Sequence, residues 1–195
     1  GKRVQFNGKS VQIQRLDAFD FSNTQIGLFS AGGSVSAEFA PKAAAQGCIV
    51  VDNTSHFRND DDIPLVVSEV NPECVADYAP RNIIANPNCS TIQMMVALNP
   101  IHDAVGITRI NVATYQAVSG AGASGIEELA GQTAKLLNGQ PIEPGKMPAQ
   151  IAFNAIPQID TFQEYGYTRE EMKMAWETCK ILQDDSIAVI ATCVR

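Results

Sequence analysis

Short apolar runs bounded by turn-forming residues alternate with helical stretches through the first half of the chain. Residues 11–14, 26–30 and 48–52 read as strands, and between the last two lies the Ala-rich stretch 34–46, with apolar residues at helical spacing. This strand–helix–strand rhythm predicts an α/β fold, a parallel sheet with helices on its faces. Further strands are predicted at 63–70 and 82–85, with a short helix or turn at 72–79. A helix is predicted from Ser90 towards Ala97, closed by Asn99-Pro100 because the residue before a proline disfavours helical backbone. The longest predicted strand, 107–118, leads through glycine-rich 119–123 into a helix over 124–137, which Asn138-Gly139 ends. Residues 139–150, with three prolines and two glycines, read as loop. Thr168, followed three residues later by Glu171, forms a capping box for a helix to about Leu182, and 187–194 is the last strand. The pattern divides into two α/β units, 1–88 and 89–195, with the boundary where a strand gives way to a helix at Cys89.

Composition agrees with that picture: 195 residues, 45% hydrophobic and 18% charged, suffice for one large domain or two small ones. A net charge of −7 argues against a nucleic-acid or anionic-membrane partner, although local cations can still hold a small anionic substrate. No apolar run approaches the roughly 18 residues of a membrane span, and no signal peptide is visible. The five cysteines (48, 74, 89, 179 and 193) are odd in number and lack Cys-x-x-Cys spacing, which points to a reducing, cytoplasmic setting. Both histidines stand apart from such a pattern, so no metal site is expected. Gly1 in place of Met, and a final strand cut short at Arg195, suggest a partial chain.

The run Asn86-Pro87-Asn88-Cys89-Ser90-Thr91 carries the most chemistry. It places a cysteine at a helix N-terminus, beside unpaired N–H groups and the positive end of the dipole. Both favour the thiolate, and the same N–H groups can stabilise an oxyanion when a carbonyl is attacked. Pro87 stiffens the approach, and Asn88 adds an amide for substrate. A small buried hydrophobe is the competing reading for any free cysteine, and it is the one preferred for Cys48, Cys74, Cys179 and Cys193.

That run resembles the active-site motif of the bacterial aspartate-semialdehyde dehydrogenases. Gly-Leu-Phe-Ser-Ala-Gly-Gly-Ser (27–34), Asp-Asn-Thr-Ser-His-Phe-Arg (52–58), Ile-Pro-Leu-Val-Val-Ser-Glu-Val-Asn (63–71), Tyr-Gln-Ala-Val-Ser-Gly-Ala-Gly (115–122) and Arg-Glu-Glu-Met-Lys (169–173) resemble the same family, in its order and across the chain. Related families differ at the nucleophile: N-acetylglutamyl-phosphate reductases typically carry Asn-Pro-Gly-Cys-Tyr. The resemblance implies a truncated NADP-binding Rossmann-like domain followed by an α/β catalytic and dimerisation domain.

The resemblance further implies that Cys89 is the nucleophile and that Gln116 orients substrate beside it. Arg58 and Lys173 are implied to bind phosphate, Glu170 the substrate amine and Arg195 the substrate carboxylate, with Asn88 a further substrate contact. Ser30, Ala31 and Gly32, and Ser119, Gly120, Ala121 and Gly122, are implied to line the NADP(H) site. The activity implied is NADP-dependent reduction of L-4-aspartyl phosphate to L-aspartate 4-semialdehyde through a cysteine thioester, on the route to lysine, threonine and methionine. The expected partners are the small-molecule substrate, inorganic phosphate and further copies of the chain, in a homodimer or homotetramer. The family's glycine-rich nucleotide turn and its acid/base histidine have no counterpart in this stretch, and neither His56 nor His102 matches the latter. The alternative is a catalytically silent fragment or non-catalytic homologue.

Overall fold

A computed structural model describes residues 1–143 and 145–195. Pro144, inside the predicted 139–150 loop, lies outside the described residues. The chain forms two compact units, Gly1–Pro87 and Asn88–Arg195.

The first unit opens with an antiparallel hairpin, β1 (Arg3–Phe6) and β2 (Lys9–Gln12), that the hydrophobic pattern missed in part. Its signal was present: Asn7-Gly8 takes φ of 47° and 73°, the positive values a tight hairpin turn requires. The predicted 11–14 strand is therefore displaced to Lys9–Gln12 by pairing with β1. A three-stranded parallel sheet follows, ordered β3 (Ile26–Phe29), β4 (Ile49–Asp52) and β5 (Ile83–Ala85). Helix α1 (Gly33–Ala45) crosses between β3 and β4. Its buried face is made of Ser36, Ala40, Ala43 and Ala44, small enough for close approach to β4 and β5 in the sheet.

The predicted strand at 63–70 is not one. Only Leu65 bridges, in parallel, to Ala85. The Asn71 carboxamide takes the Val67 N–H (2.8 Å) and donates to the Leu65 carbonyl (3.0 Å). Those backbone groups are thus used inside a turn, and Pro64 has no N–H to offer a ladder. Residues 72–79 resolve into a 3-10 helix, Pro72–Tyr78.

In the second unit, α2 (Cys89–Val105) runs on through Pro100 instead of stopping before it. The preference of a pre-proline residue is outweighed by what the last turn gains. Gly106, at φ 74°, ends the helix with its N–H on the His102 carbonyl, and His102 Nδ1 accepts the Ile107 N–H at 3.1 Å. Strand β6 (Arg109–Tyr115) is shorter than predicted, because after Gln116 the chain tightens into a 3-10 turn, Val118–Ala121. Helix α3 (Ala123–Leu137) leads to the loop region, and α4 (Arg169–Leu182) to β7 (Ala188–Val194). Strands β6 and β7 pair in parallel from Arg109↔Ala188 to Tyr115↔Val194.

Met174 of α4 packs with Ala191 and Cys193 of β7 and Ile159, flanked by Met94 of α2 and Val112 of β6. The predicted capping box is present. Thr168 Oγ1 accepts the Glu171 N–H, and the Glu171 carboxylate accepts the Thr168 N–H at 2.6 Å. The other oxygen of Glu171 accepts the Cys193 N–H (3.0 Å), tying the start of α4 to β7.

Candidate active site

Cys89 is the first residue of α2 and is exposed, whereas Cys48, Cys74 and Cys193 are buried and Cys179 is half-buried. Burial pushes the thiols of Cys48, Cys179 and Cys193 up, away from the reactive thiolate. Asn88 is the N-cap. Its backbone is extended (φ −60°, ψ 141°) and its side-chain oxygen accepts the Ser90 N–H at 2.8 Å. Strand β5 and buried Pro87 deliver the chain to this point.

A cavity of about 850 Å³ lies within the second unit, lined by Cys89, Ser90, Gln116, Ser119, Gly120 and Arg195 among others. Gln116 stands just beyond the end of β6, where its N–H meets the Val194 carbonyl at 2.8 Å. Arg195 is held by two backbone hydrogen bonds with Ile156. Its Nε is buried and, among the described residues, has no hydrogen-bond partner, so the guanidinium keeps a donor for an anion. A Cβ on Gly120 would come within 3.0 Å of an Arg195 terminal nitrogen, so a glycine there leaves room for that side chain.

Three of the expected residues converge on a fourth. Glu170, 6% exposed, accepts Asn88 Nδ2 (3.0 Å) and Lys173 Nζ (3.3 Å) on one oxygen and Gln116 Nε2 (3.2 Å) on the other. Thr114 Oγ1 donates in turn to the Gln116 side-chain oxygen, Oε1, at 2.9 Å. Glu170 and Lys173 are thus a largely buried ion pair, their side chains 8% and 17% exposed.

Sequence reasoning missed Asp160, which binds Lys173 at 3.0 Å. It adopts φ +70°, a backbone state that Asp tolerates better than most residues. Burial alone would raise its carboxyl, but the Lys173 hydrogen bond, the Thr161 N–H and the charges of Lys173 and Arg169 hold it below the usual carboxylate range. A depressed carboxylate adds stability above its unfolded value and loses it as pH falls through the folded one. Asp160→Asn is therefore expected to flatten the fall in melting temperature below about pH 4, the ordinary Asp range. An acid limb as steep as that of the unaltered protein would contradict the assignment.

The remaining expected residues belong to the first unit. Ser30, Ala31 and Gly32 follow β3 and lead into α1, and all three are exposed. Among the described residues no side chain caps α1, and Gly32 sits at φ 105° with open space where a Cβ would be. Open N–H groups approached over a glycine suit an anionic group such as a nucleotide phosphate. Gly122, at φ 80°, starts α3 in the second unit in the same uncapped way. Arg58 is buried, and one of its terminal nitrogens donates to the Asn53 carbonyl at 3.1 Å. His56 is exposed, edge-on to the Phe57 ring. No helix among the described residues is long and apolar enough to cross a membrane.

Comparison with known proteins adds independent findings. The model "semialdehyde dehydrogenase, NAD binding domain" matches residues 1–78, and "semialdehyde dehydrogenase, dimerisation domain" matches residues 98–195. Aspartate-semialdehyde dehydrogenase 2 of Vibrio cholerae is 67% identical over 195 residues, covering 100% of this chain and 58% of that protein. A crystal structure of aspartate-semialdehyde dehydrogenase II from Vibrio cholerae, complexed with ASA, superposes with a TM-score of 0.98 at 66% identity, again over 100% of this chain and 58% of the other. The Candida albicans enzyme with NADP gives a TM-score of 0.61 at 25% identity, over 88% of this chain and 46% of the other. The chain thus spans 58% of the length of its Vibrio relative. An α/β scaffold, a cysteine at the head of α2 and both domain matches agree: this chain belongs to the semialdehyde dehydrogenase family.

Proposed function

We propose that the protein carrying this chain is an NADP-dependent aspartate-semialdehyde dehydrogenase. It reduces L-4-aspartyl phosphate to L-aspartate 4-semialdehyde, on the route to lysine, threonine and methionine. The observation that carries this reading is Cys89: an exposed sulfur at the N-terminus of α2, on the wall of a cavity shared with Gln116, Gly120 and Arg195.

The roles follow from the chemistry of each group. Cys89 Sγ attacks the acyl carbon, phosphate leaves, and the acyl group is held as a thioester. The positive end of α2 favours negative charge developing on the carbonyl oxygen. Arg195 offers its unpartnered donor to the substrate carboxylate. Glu170 accepts the substrate ammonium in place of one of its present donors, and Gln116 and Asn88, both hydrogen-bonded to it, are held around the reacting carbon. Lys173 and Arg58 bind the phosphate oxygens, a task that suits Arg58's planar fork.

When bound, NADPH supplies the hydride that reduces the acyl group. Ser30, Ala31 and Gly32, with Ser119, Gly120, Ala121 and Gly122, are the residues to hold it. The first unit is assigned to nucleotide binding and the second to catalysis and self-association, as a homodimer or homotetramer in the cytoplasm. His102 does not take the proton-transfer role, since it lies at the far end of α2 from Cys89 and its Nδ1 accepts the Ile107 N–H.

The test is run in the reverse direction on the full-length protein. NADP reduction is followed spectroscopically with aspartate semialdehyde, with and without inorganic phosphate. Turnover that requires both is the expected result. Reduction indifferent to phosphate would remove the acyl-phosphate chemistry from the proposal.

A further inference from the structure

Glu177 is a buried carboxylate that none of these roles uses. It is 2% exposed and lies two turns beyond Glu170 on the inward face of α4, which also buries Met174, Thr178 and Ile181. Its Oε2 accepts the backbone N–H of Asn88 at 2.6 Å, a short charge-assisted bond. Asn88 is thereby held at three points. Glu177 takes its backbone N–H, Glu170 takes its side-chain amide at 3.0 Å, and its side-chain oxygen caps Ser90 at 2.8 Å.

Packing alone does not explain a carboxylate here. Taking a charge out of water is unfavourable, and a methionine or leucine would fill the same face of α4 with less desolvation. What a methionine does not supply is an acceptor for the Asn88 N–H. That N–H belongs to the Pro87–Asn88 peptide, so holding it fixes the N-cap residue from which the helix starts, and with it the direction in which Cys89 Sγ points. From this geometry we infer that Glu177 is a positioning residue for the nucleophile, one that holds Cys89 Sγ in its attacking orientation through the Asn88 backbone. The inference rests on Cys89 being the nucleophile. It adds that the sulfur is aimed by α4 and not only by its own helix.

The experiment uses the full-length protein with Glu177→Gln and Glu177→Met. Three measurements are made: kcat and KM per titrated Cys89 thiol, melting temperature, and the rate at which iodoacetamide alkylates Cys89. Glutamine keeps an acceptor but loses the charge, and a lowering of kcat by roughly three- to ten-fold is expected. Methionine keeps the length but loses the acceptor, and a lowering by roughly 10- to 100-fold is expected, as for a reacting atom displaced by about an ångström. KM is expected to stay within about three-fold in both, because the substrate-binding groups remain.

A purely structural role would lower the melting temperature and the folded fraction while leaving kcat per reactive thiol and the alkylation rate unchanged, and that outcome overturns the inference. Should Glu177→Met not fold, Glu177→Gln decides alone: unchanged kcat and alkylation rate overturn the inference. Loss of activity in Cys89→Ala beside unaltered Glu177 variants would sink only the positioning role. Activity surviving in Cys89→Ala would sink the nucleophile assignment itself.

Discussion

Cys89→Ala in the full-length protein is expected to lower phosphate-dependent turnover by roughly 10⁴-fold or more, as loss of a covalent nucleophile does. The substitution is chemically narrow. Asn88 still caps Ser90 through its side chain, and its N–H still meets Glu177. Alanine is the best helix former, and residue 89 is exposed, so a change of stability beyond about 0.5 kcal/mol is not expected. Kinetics and a thermal melt on the same preparation separate lost chemistry from lost fold. No other cysteine is placed to substitute, since Cys48, Cys74 and Cys193 are buried and Cys179 is half-buried. Cys89→Ser refines the result: the oxygen keeps the geometry but is weakly nucleophilic without an adjacent base. A residual rate within ten-fold of the unaltered enzyme in either variant would remove Cys89 from the mechanism.

The second large effect is on stability. Asp52, at the end of β4, is completely buried and accepts three hydrogen bonds. They come from Ser36 Oγ of α1 (2.8 Å), the Thr54 N–H (3.0 Å) and Thr54 Oγ1 (2.8 Å). Asp52→Ala strands those donors and opens a void between helix and sheet. An unsatisfied buried donor costs about 1–3 kcal/mol, so a loss of about 3 kcal/mol or more is expected. Urea unfolding followed by circular dichroism measures it. A loss under about 1 kcal/mol would show that Asp52 is not the anchor this geometry describes. The effect reaches the candidate cofactor edge through the next residue. Asn53 receives the Asn86 amide at 2.8 Å and donates to Ser30 at 3.1 Å, so loosening β4 at Asp52 is expected to weaken nucleotide binding as well.

What the sequence disclosed of this arrangement was its local part. Short β-rich runs located β3, β4, β5 and β7, and the Thr168/Glu171 spacing located the start of α4, because each depends on neighbours a few residues away. The failures were contests with more distant partners. The Asn71 side chain turned 63–70 into a loop, and the His102 carbonyl and ring carried α2 past Pro100. Motifs singled out Cys89 and its flanks as candidates, yet they gave no hint that Gln116, Asn88 and Lys173 share one carboxylate. Glu177 was in principle legible. It lies seven residues after Glu170, on the same face of a helix, but a lone acid on an amphipathic helix reads as solvent-facing until its burial is seen.

Parallel pairing of β6 with β7 has a kinetic consequence. Arg109 aligns with Ala188, so the sheet of the second unit closes only after the long intervening segment has been made and has folded back. The carboxylates that restrain Asn88 come from that same late stretch of chain. During synthesis, Cys89 emerges well before anything exists to aim it. Acquisition of the restraint is then a non-local event, tied to the slow docking of α4 and β7 and not to the rapid winding of α2.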